Sequence, residues 1–227
     1  MSLLGSAAVA MWWDIDPDVR REFEDWHSHE HFPERMGVPG FRRGSRWSDA
    51  NGGEGFFVLY ELEAYDTLAS PGYLARLNSP TPWSTRMMPH HQNMVRSQCV
   101  VLESRGWGVG QLMLTVRLSP RSGSEEELQR AIGEAFASIW DRPGVTGCHL
   151  LKTSTPKIAP TTEQIIRGGD AVADWALLLS GHDASALADV EAASFGAERL
   201  AGLGASGERT VGLYRLSHAL SATDLAA

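Results

Sequence analysis

The sequence is poor in the features that mark nucleotide, nucleic-acid, membrane or disulfide proteins. It has two cysteines in 227 residues, Cys99 and Cys148, without CxxC spacing and in apolar surroundings. That suits reduced, buried thiols in an intracellular protein and excludes a disulfide framework. No Lys/Arg cluster exists beyond short pairs such as Arg42-Arg43, and the formal charge is −8, so nothing offers a footprint for phosphate backbones or anionic membrane surfaces. Neither nucleic acid nor a membrane is an expected partner. The apolar run from Leu3 to Trp13 lacks a basic flank and is too short to span a bilayer, so it reads as a buried strand, and a cytoplasmic location follows by default. No GxGxxG follows a strand, and neither GxxxxGK[ST] nor GxSxG occurs, which disfavours nucleotide-driven chemistry.

What is present is an ordinary globular composition, 43% hydrophobic and 21% charged, in a chain long enough for two domains of common size. Its order of elements repeats. The first half reads as strand (3–12), helix (17–32), strand (40–47), strand (55–63), helix (65–78) and strand (93–103); the second as strand (110–118), helix (123–140), strand (144–152), strand (174–181), helix (183–203) and strand (209–216). Asp16-Pro17 supplies an N-cap and a proline at the first helical position, and Val19, Phe23, Trp26 and Glu30 form one stripe of the helix that follows. Pro39-Gly40-Phe41 and Pro143-Gly144-Val145 open the second strand of each half, and Asp66 and Asp183 are placed to cap the helix after each third strand. Gly202-Leu203-Gly204 reads as a helix C-cap.

These patterns predict an α+β fold of two tandem ferredoxin-like βαββαβ units, residues 1–105 and 110–227, joined by a glycine-rich linker. A four-stranded sheet with both helices on one face leaves the other face bare, and these strands are too apolar for that face to be wet. The antiparallel sheets are therefore expected to pack face to face into an α+β barrel, within one chain or by exchange between two. The loop from Ser154 to Ala171 stands where the first half has a tight turn; it is either functional or a surface insertion.

The stretch Trp26-His27-Ser28-His29-Glu30-His31-Phe32-Pro33-Glu34-Arg35, then Val38-Pro39-Gly40-Phe41 and Arg46-Trp47, resembles the EthD-like branch of the dimeric α+β barrel superfamily, in which a helix ending in Glu-His-x-Pro precedes a Pro-Gly-Phe strand opening. Leu59-Tyr60-Glu61-Leu62, Ser70-Pro71-Gly72-Tyr73-Leu74 and the segment from Ser79 to Arg86 support it. The resemblance covers most of the first half, and the second lacks the signature, which assigns a site to the first. It implies a homodimer and a small-molecule ligand. Superfamily members include cofactor-free monooxygenases, cyclases, isomerases and haem proteins, so fold does not fix function.

His31 is the leading candidate for proton transfer, with Glu30, Glu34 and Arg35 beside it where the helix runs out: an imidazole titrates near neutrality and a carboxylate can orient it. A histidine that merely caps the helix end is the structural alternative. His27 to His31 also matches His-x-x-Glu-His, which would place two metal ligands on one helical face, but no third ligand is evident and no metal site is assigned. Arg46 and Arg86 could hold a carboxylate or phenolate through a guanidinium fork. Alternation along the strand places Arg46 on the face opposite Phe41, Arg43, Ser45 and Trp47. Tyr60, Trp83, Met87, Met88, His90 and His91 could line a pocket for a flat apolar ligand or be core.

The chain is accordingly expected to be a cofactor-independent monooxygenase, isomerase or cyclase acting on a small aromatic or polyketide-like molecule, with no cofactor. The alternatives are a non-catalytic barrel filled by side chains and, less favoured, a haem or metal protein.

Overall fold

Strand β1 (Ala7–Ile15) is buried along nearly its whole length because each of its faces meets a packed layer. Val9, Met11 and Trp13 point to one hydrophobic cluster and Ala8, Ala10 and Trp12 to another, the alternation a strand imposes on its side chains. The computed structural model describes residues 3–53, 55–154 and 159–226.

β1 pairs on one side with β3 (Gly55–Leu62) and on the other with β4 (His91–Gly106), and β3 pairs with β2 (Phe41–Asp49). In the second half β5 (Leu112–Pro120) lies between β7 (Trp175–Gly181) and β8 (Ala205–Ser221), with β6 (Val145–Thr153) outside β7. Each half thus has the strand order of a ferredoxin-like sheet. The pairs β2·β8 and β4·β6 join the two sheets into a closed antiparallel barrel in the order β1-β3-β2-β8-β5-β7-β6-β4. One chain closes the barrel, so a second copy is not needed for closure.

The barrel interior is filled by Ala8, Ala10, Trp12, Trp47, Phe57, Leu59, Cys99, Met113, Leu151, Ala176 and Leu178. Helices cover both outer faces. On the first half these are α1 (Arg20–Trp26), α2 (Phe32–Met36), α3 (Pro71–Asn78) and α4 (Pro82–Met87); on the second, α5 (Glu125–Phe136), α7 (Ala184–Phe195) and α8 (Ala197–Gly202). Both cysteines are free and buried, and burial pushes each thiol up to about 12, which removes them as nucleophiles. No helix among the described residues is long and apolar enough to cross a membrane.

Gly40 and Gly144 both take left-handed φ values, +95° and +88°, where the chain turns into its second strand. A Cβ at Gly40 would sit 2.5 Å from Thr67 Oγ1, and one at Gly144 would sit 2.6 Å from Ala186 Cβ, so no other residue fits either corner. Asp183 caps α7 by accepting from the Ser185 and Ala186 backbone N–H groups. Asp66 does not act likewise: it falls within a 3-10 turn (Tyr65–Ala69), and Ser70 caps α3 instead. Phe41 also departs from expectation. It packs in the helix-side core, whereas Trp47 fills the barrel, because the β2·β3 register shifts between Phe41 and Arg43 and resets the alternation.

The segment between β6 and β7 contains a short helix, α6 (Thr162–Arg167), opened by a capping box between Thr161 and Gln164 and closed by Gly168 at φ +83°. Residues 155–158 of the loop read from the sequence lie outside the described residues. Helix α6 packs on the first half. The Thr162 N–H donates to Asn78 Oδ1 at 3.1 Å, and the Ala171 N–H to the Met94 carbonyl at 2.9 Å.

Candidate active site

The helix expected over 17–32 is interrupted at the signature. After α1, residues His27–His31 form a π-helical turn in which the Phe32 N–H reaches back five residues to the His27 carbonyl. Pro33 accounts for it. Proline has no N–H to give the His29 carbonyl, and in a regular α-helix its ring would collide with that carbonyl, so the helix widens by one residue. Side chains add bonds to carbonyls of the turn before it: Ser28 Oγ donates to the Glu24 carbonyl at 2.7 Å and His29 Nδ1 to the Asp25 carbonyl at 2.9 Å.

The consequence of the π turn is to bury two imidazoles in one stack. The rings of His27 and His31 lie 5.4 Å apart at 23°, between Phe32 at 4.3 Å from His27 and Trp26 at 4.6 Å from His31. Burial lowers both pKa values well below the ordinary value; Arg46 is the next cause for His27 and Arg35 for His31. Both rings are therefore neutral at pH 7. His91 stands across from them, 5.2 Å from Trp13, and burial depresses it to about 3. Its Nδ1 donates to the Met88 carbonyl at 3.1 Å, which leaves Nε2 as the lone-pair nitrogen.

These residues line a nearly enclosed cavity of about 30 Å³ between the sheet and the helices of the first half, outside the barrel. That is room for a water molecule or two. Its walls include Met11 and Trp13 of β1, Tyr60 of β3, Tyr73 of α3, Arg96 of β4, and Glu163 and Arg167 of α6. His27 Nδ1, His31 Nδ1, Trp13 Nε1 and the Tyr60 hydroxyl are buried there without a hydrogen-bond partner among the described residues. A buried polar atom left unpaired costs about 1–3 kcal/mol, so four around one space mark a site shaped for polar contents. Gly44 makes room for the Tyr60 ring, since a Cβ there would lie 2.9 Å from it.

The charged groups beside it are paired through α6. Arg35, 2% exposed, forms a buried ion pair with Glu163, and Arg167 grips Asp170 with two bonds of 3.0 and 2.9 Å. Burial opposes charge on Arg35, but Glu163 and Tyr73 outweigh it and raise its pKa. Burial raises the pKa of Glu34, and it raises that of Tyr60 well above the ordinary phenol value.

Of the residues singled out in the sequence, His31, Arg35, Tyr60, Met88 and His91 meet at the cavity. Glu30 does not orient His31: it accepts from Trp26 Nε1 at 3.1 Å, Thr81 Oγ1 at 2.5 Å and Ser84 Oγ at 3.3 Å, fixing α4 against the π turn. Glu34 is likewise taken by Arg35 at 3.4 Å and the exposed Arg76 at 3.5 Å. Arg46 is buried behind the site and donates to the Glu24 carbonyl, Ser28 and Ser217, so it braces the π turn. Trp83 and Arg86 bond to Glu22 on the outside of the helices, and His90 is half-buried and absent from the lining. His27, Arg96, Glu163 and Arg167 were not singled out as binding residues. Among the described residues no three His, Cys, Asp or Glu side chains are grouped to hold a metal ion.

No protein-family model matches the sequence, and no curated protein matches it. Solved structures do match in shape. An anthrone oxidase-like protein superposes with TM-score 0.67 at 14% identity, over 98% of this chain and 96% of its own. A proposed monooxygenase from Fusobacterium nucleatum gives TM-score 0.62 at 8% identity over 96% of each chain. A haem-binding protein from Thermus thermophilus gives 0.53 at 10% identity over 95% of this chain and 92% of its own. At these identities the likeness establishes the fold, a ferredoxin-like α+β barrel, and no activity.

Proposed function

We propose that this protein is a cofactor-independent oxidase or monooxygenase acting on a small aromatic or polyketide-like molecule, with residues 1–105 holding the ligand and residues 110–227 supplying the partner sheet and the covering helix α6. The observation that carries the reading is the stack of two neutral imidazoles, His27 and His31, with unpartnered Nδ1 atoms beside the unpartnered Tyr60 hydroxyl. A neutral imidazole offers a lone pair, here with no competing partner, and because burial and Arg35 lower its pKa the proton it takes must be balanced by the substrate anion left beside it. With the imidazole proton on Nε2, His31 Nδ1 is the free lone pair. It removes a proton from an acidic ring carbon; the electron pair of the resulting enolate forms a C–O bond to dioxygen, the co-substrate. The imidazolium returns its proton to the distal oxygen, and the hydroperoxide loses water as its O–O bond breaks to leave a ketone. Tyr60, neutral at all physiological pH, donates to the developing oxyanion. The anthrone oxidase-like and monooxygenase names of the fold neighbours agree with such chemistry.

An aromatic ring needs more than 30 Å³, so α6 must lift to admit it. The test is oxygen uptake with 1,8-dihydroxyanthrone by the full chain and by His31→Gln. Turnover reduced at least a hundredfold in a variant that melts normally is expected; equal turnover would remove His31 from the chemistry.

The second reading is a non-catalytic barrel, favoured by the filled interior and the small cavity. It predicts that His31→Gln changes stability alone and that no aromatic substrate is turned over.

A further inference from the structure

We propose that the cavity is an anion site whose ligand is a flat molecule carrying one negative charge on oxygen, as a carboxylate, phenolate or enolate, received by Arg96. The inference rests on reading the cavity as a ligand site and adds the charge of what it takes.

Arg96 projects from β4 into the cavity wall and is 9% exposed. A guanidinium has five N–H donors. Here one side-chain contact uses them: Nη2 donates to the Tyr73 hydroxyl at 2.9 Å. No carboxylate among the described residues lies within ion-pair distance of it, in contrast to each of its cationic neighbours. Arg35 has Glu163 and Glu34, Arg167 has Asp170, and the exposed Arg76 shares Glu34. Of the three guanidiniums that line the cavity, Arg96 is thus the one left over, since Glu163, Glu34 and Asp170 are taken by Arg35, Arg76 and Arg167. The remaining polar groups do not make up the difference, because His27, His31 and His91 are held neutral by burial and the Tyr60 phenol is held protonated.

An uncompensated buried cation is among the costlier features a fold can retain. The cost is offset where an anion arrives from outside. Tyr73 makes Arg96 a directed receiver: its hydroxyl accepts from Arg96 and so keeps its own hydrogen to donate, giving a cation and a hydroxyl donor converging on one oxyanion. Arg35 lies 6.0 Å above the face of the same Tyr73 ring, which keeps the positive field on that side of the cavity. The site would also stabilise the enolate oxygen that forms when a neutral imidazole takes the proton, so ligand charge and chemistry point the same way.

The test compares benzoate with benzamide, flat molecules of equal size that differ in charge, by calorimetric titration of the full chain at pH 7. Benzoate is expected to bind at least tenfold more tightly, and Arg96→Gln to bring the two within twofold. Equal affinities in the wild type, no benzoate binding, or an Arg96→Gln variant that keeps the preference would each overturn the inference. If that variant does not fold, the Arg96 Nε–H resonance of the wild type decides: benzoate must shift it and benzamide must not. Binding needs no turnover, so a preference for benzoate in a protein that oxidises no anthrone would defeat the enzymatic reading and leave this one standing, whereas oxidation that depends on His31 without any benzoate preference would do the reverse.

Discussion

His27 and His31 are stacked at 5.4 Å with planes 23° apart, and each buries an Nδ1 that has no partner among the described residues. An α-helix also places residues four apart on one face, but here the intervening turn is π-helical, and Pro33 is the reason. The Glu-His-x-Pro signature is thereby explained as a device of geometry: the proline forces the turn, the glutamate pins α4 against it, and the histidine faces the cavity.

Replacing Pro33 with alanine restores a backbone donor to the His29 carbonyl and removes the ring collision. The turn should close to regular α-helix and rotate His27 and His31 out of their stack. Ligand binding and any turnover should fall tenfold or more while the melting temperature holds or rises. A crystal structure of Pro33→Ala with the two rings still stacked would refute this account.

The histidines also set the acid stability. His91 and His149 are depressed by burial to about 3, and His27 and His31 lie well below 6.5, whereas all four titrate near 6.5 in the unfolded chain. As pH falls, the unfolded chain takes up protons first. Stability is therefore complete above pH 7 and declines between about 6.5 and 3, each group contributing at most about 1.4 kcal/mol per pH unit. Urea midpoints should be flat from pH 8 to 7 and drop steeply below 6, and His149→Gln should make the drop shallower. A midpoint unchanged from pH 7 to 5 would count against buried neutral imidazoles.

The Arg35–Glu163 pair ties α6 to the first half at two nearly inaccessible side chains. Glu163→Gln leaves a buried guanidinium short of its carboxylate and should cost about 3–5 kcal/mol, while Arg35→Met combined with Glu163→Met should recover most of the loss. Urea unfolding of the singles and the double closes the cycle. Strict additivity would mean that the two side chains do not interact.

Much of the fold was legible in the residues. The aromatic and β-branched run Phe56–Tyr60 marked a buried strand, and the paired Pro-Gly corners and the matched order of elements marked two ferredoxin-like sheets with faces to hide. The misses have physical causes. α4 and α6 are six residues each, too short to show a period, although Thr81-Pro82 and the Thr161/Gln164 capping box announced their starts. The bulge after Phe41 inverted a face assignment that alternation alone cannot correct. Arg96, Glu163 and Arg167 reach the cavity from a strand end and a loop of the other half, a meeting that only tertiary closure creates. His27 was weighed as a metal ligand, when its neutrality and its stack are what place it at the site.

The exchanged edges of the barrel bear on how the chain matures. Arg43 of β2 pairs with Ser221, and Cys99 of β4 with Thr153, so both borders of the first sheet are completed by strands made later. During synthesis the first half emerges with two raw edges and an apolar face containing Trp12, Trp47 and Phe57, a surface that invites pairing with other nascent chains. The strand that seals β2 is β8, the last of the eight barrel strands to leave the ribosome. Until it arrives, the histidine stack is built on an unfinished sheet.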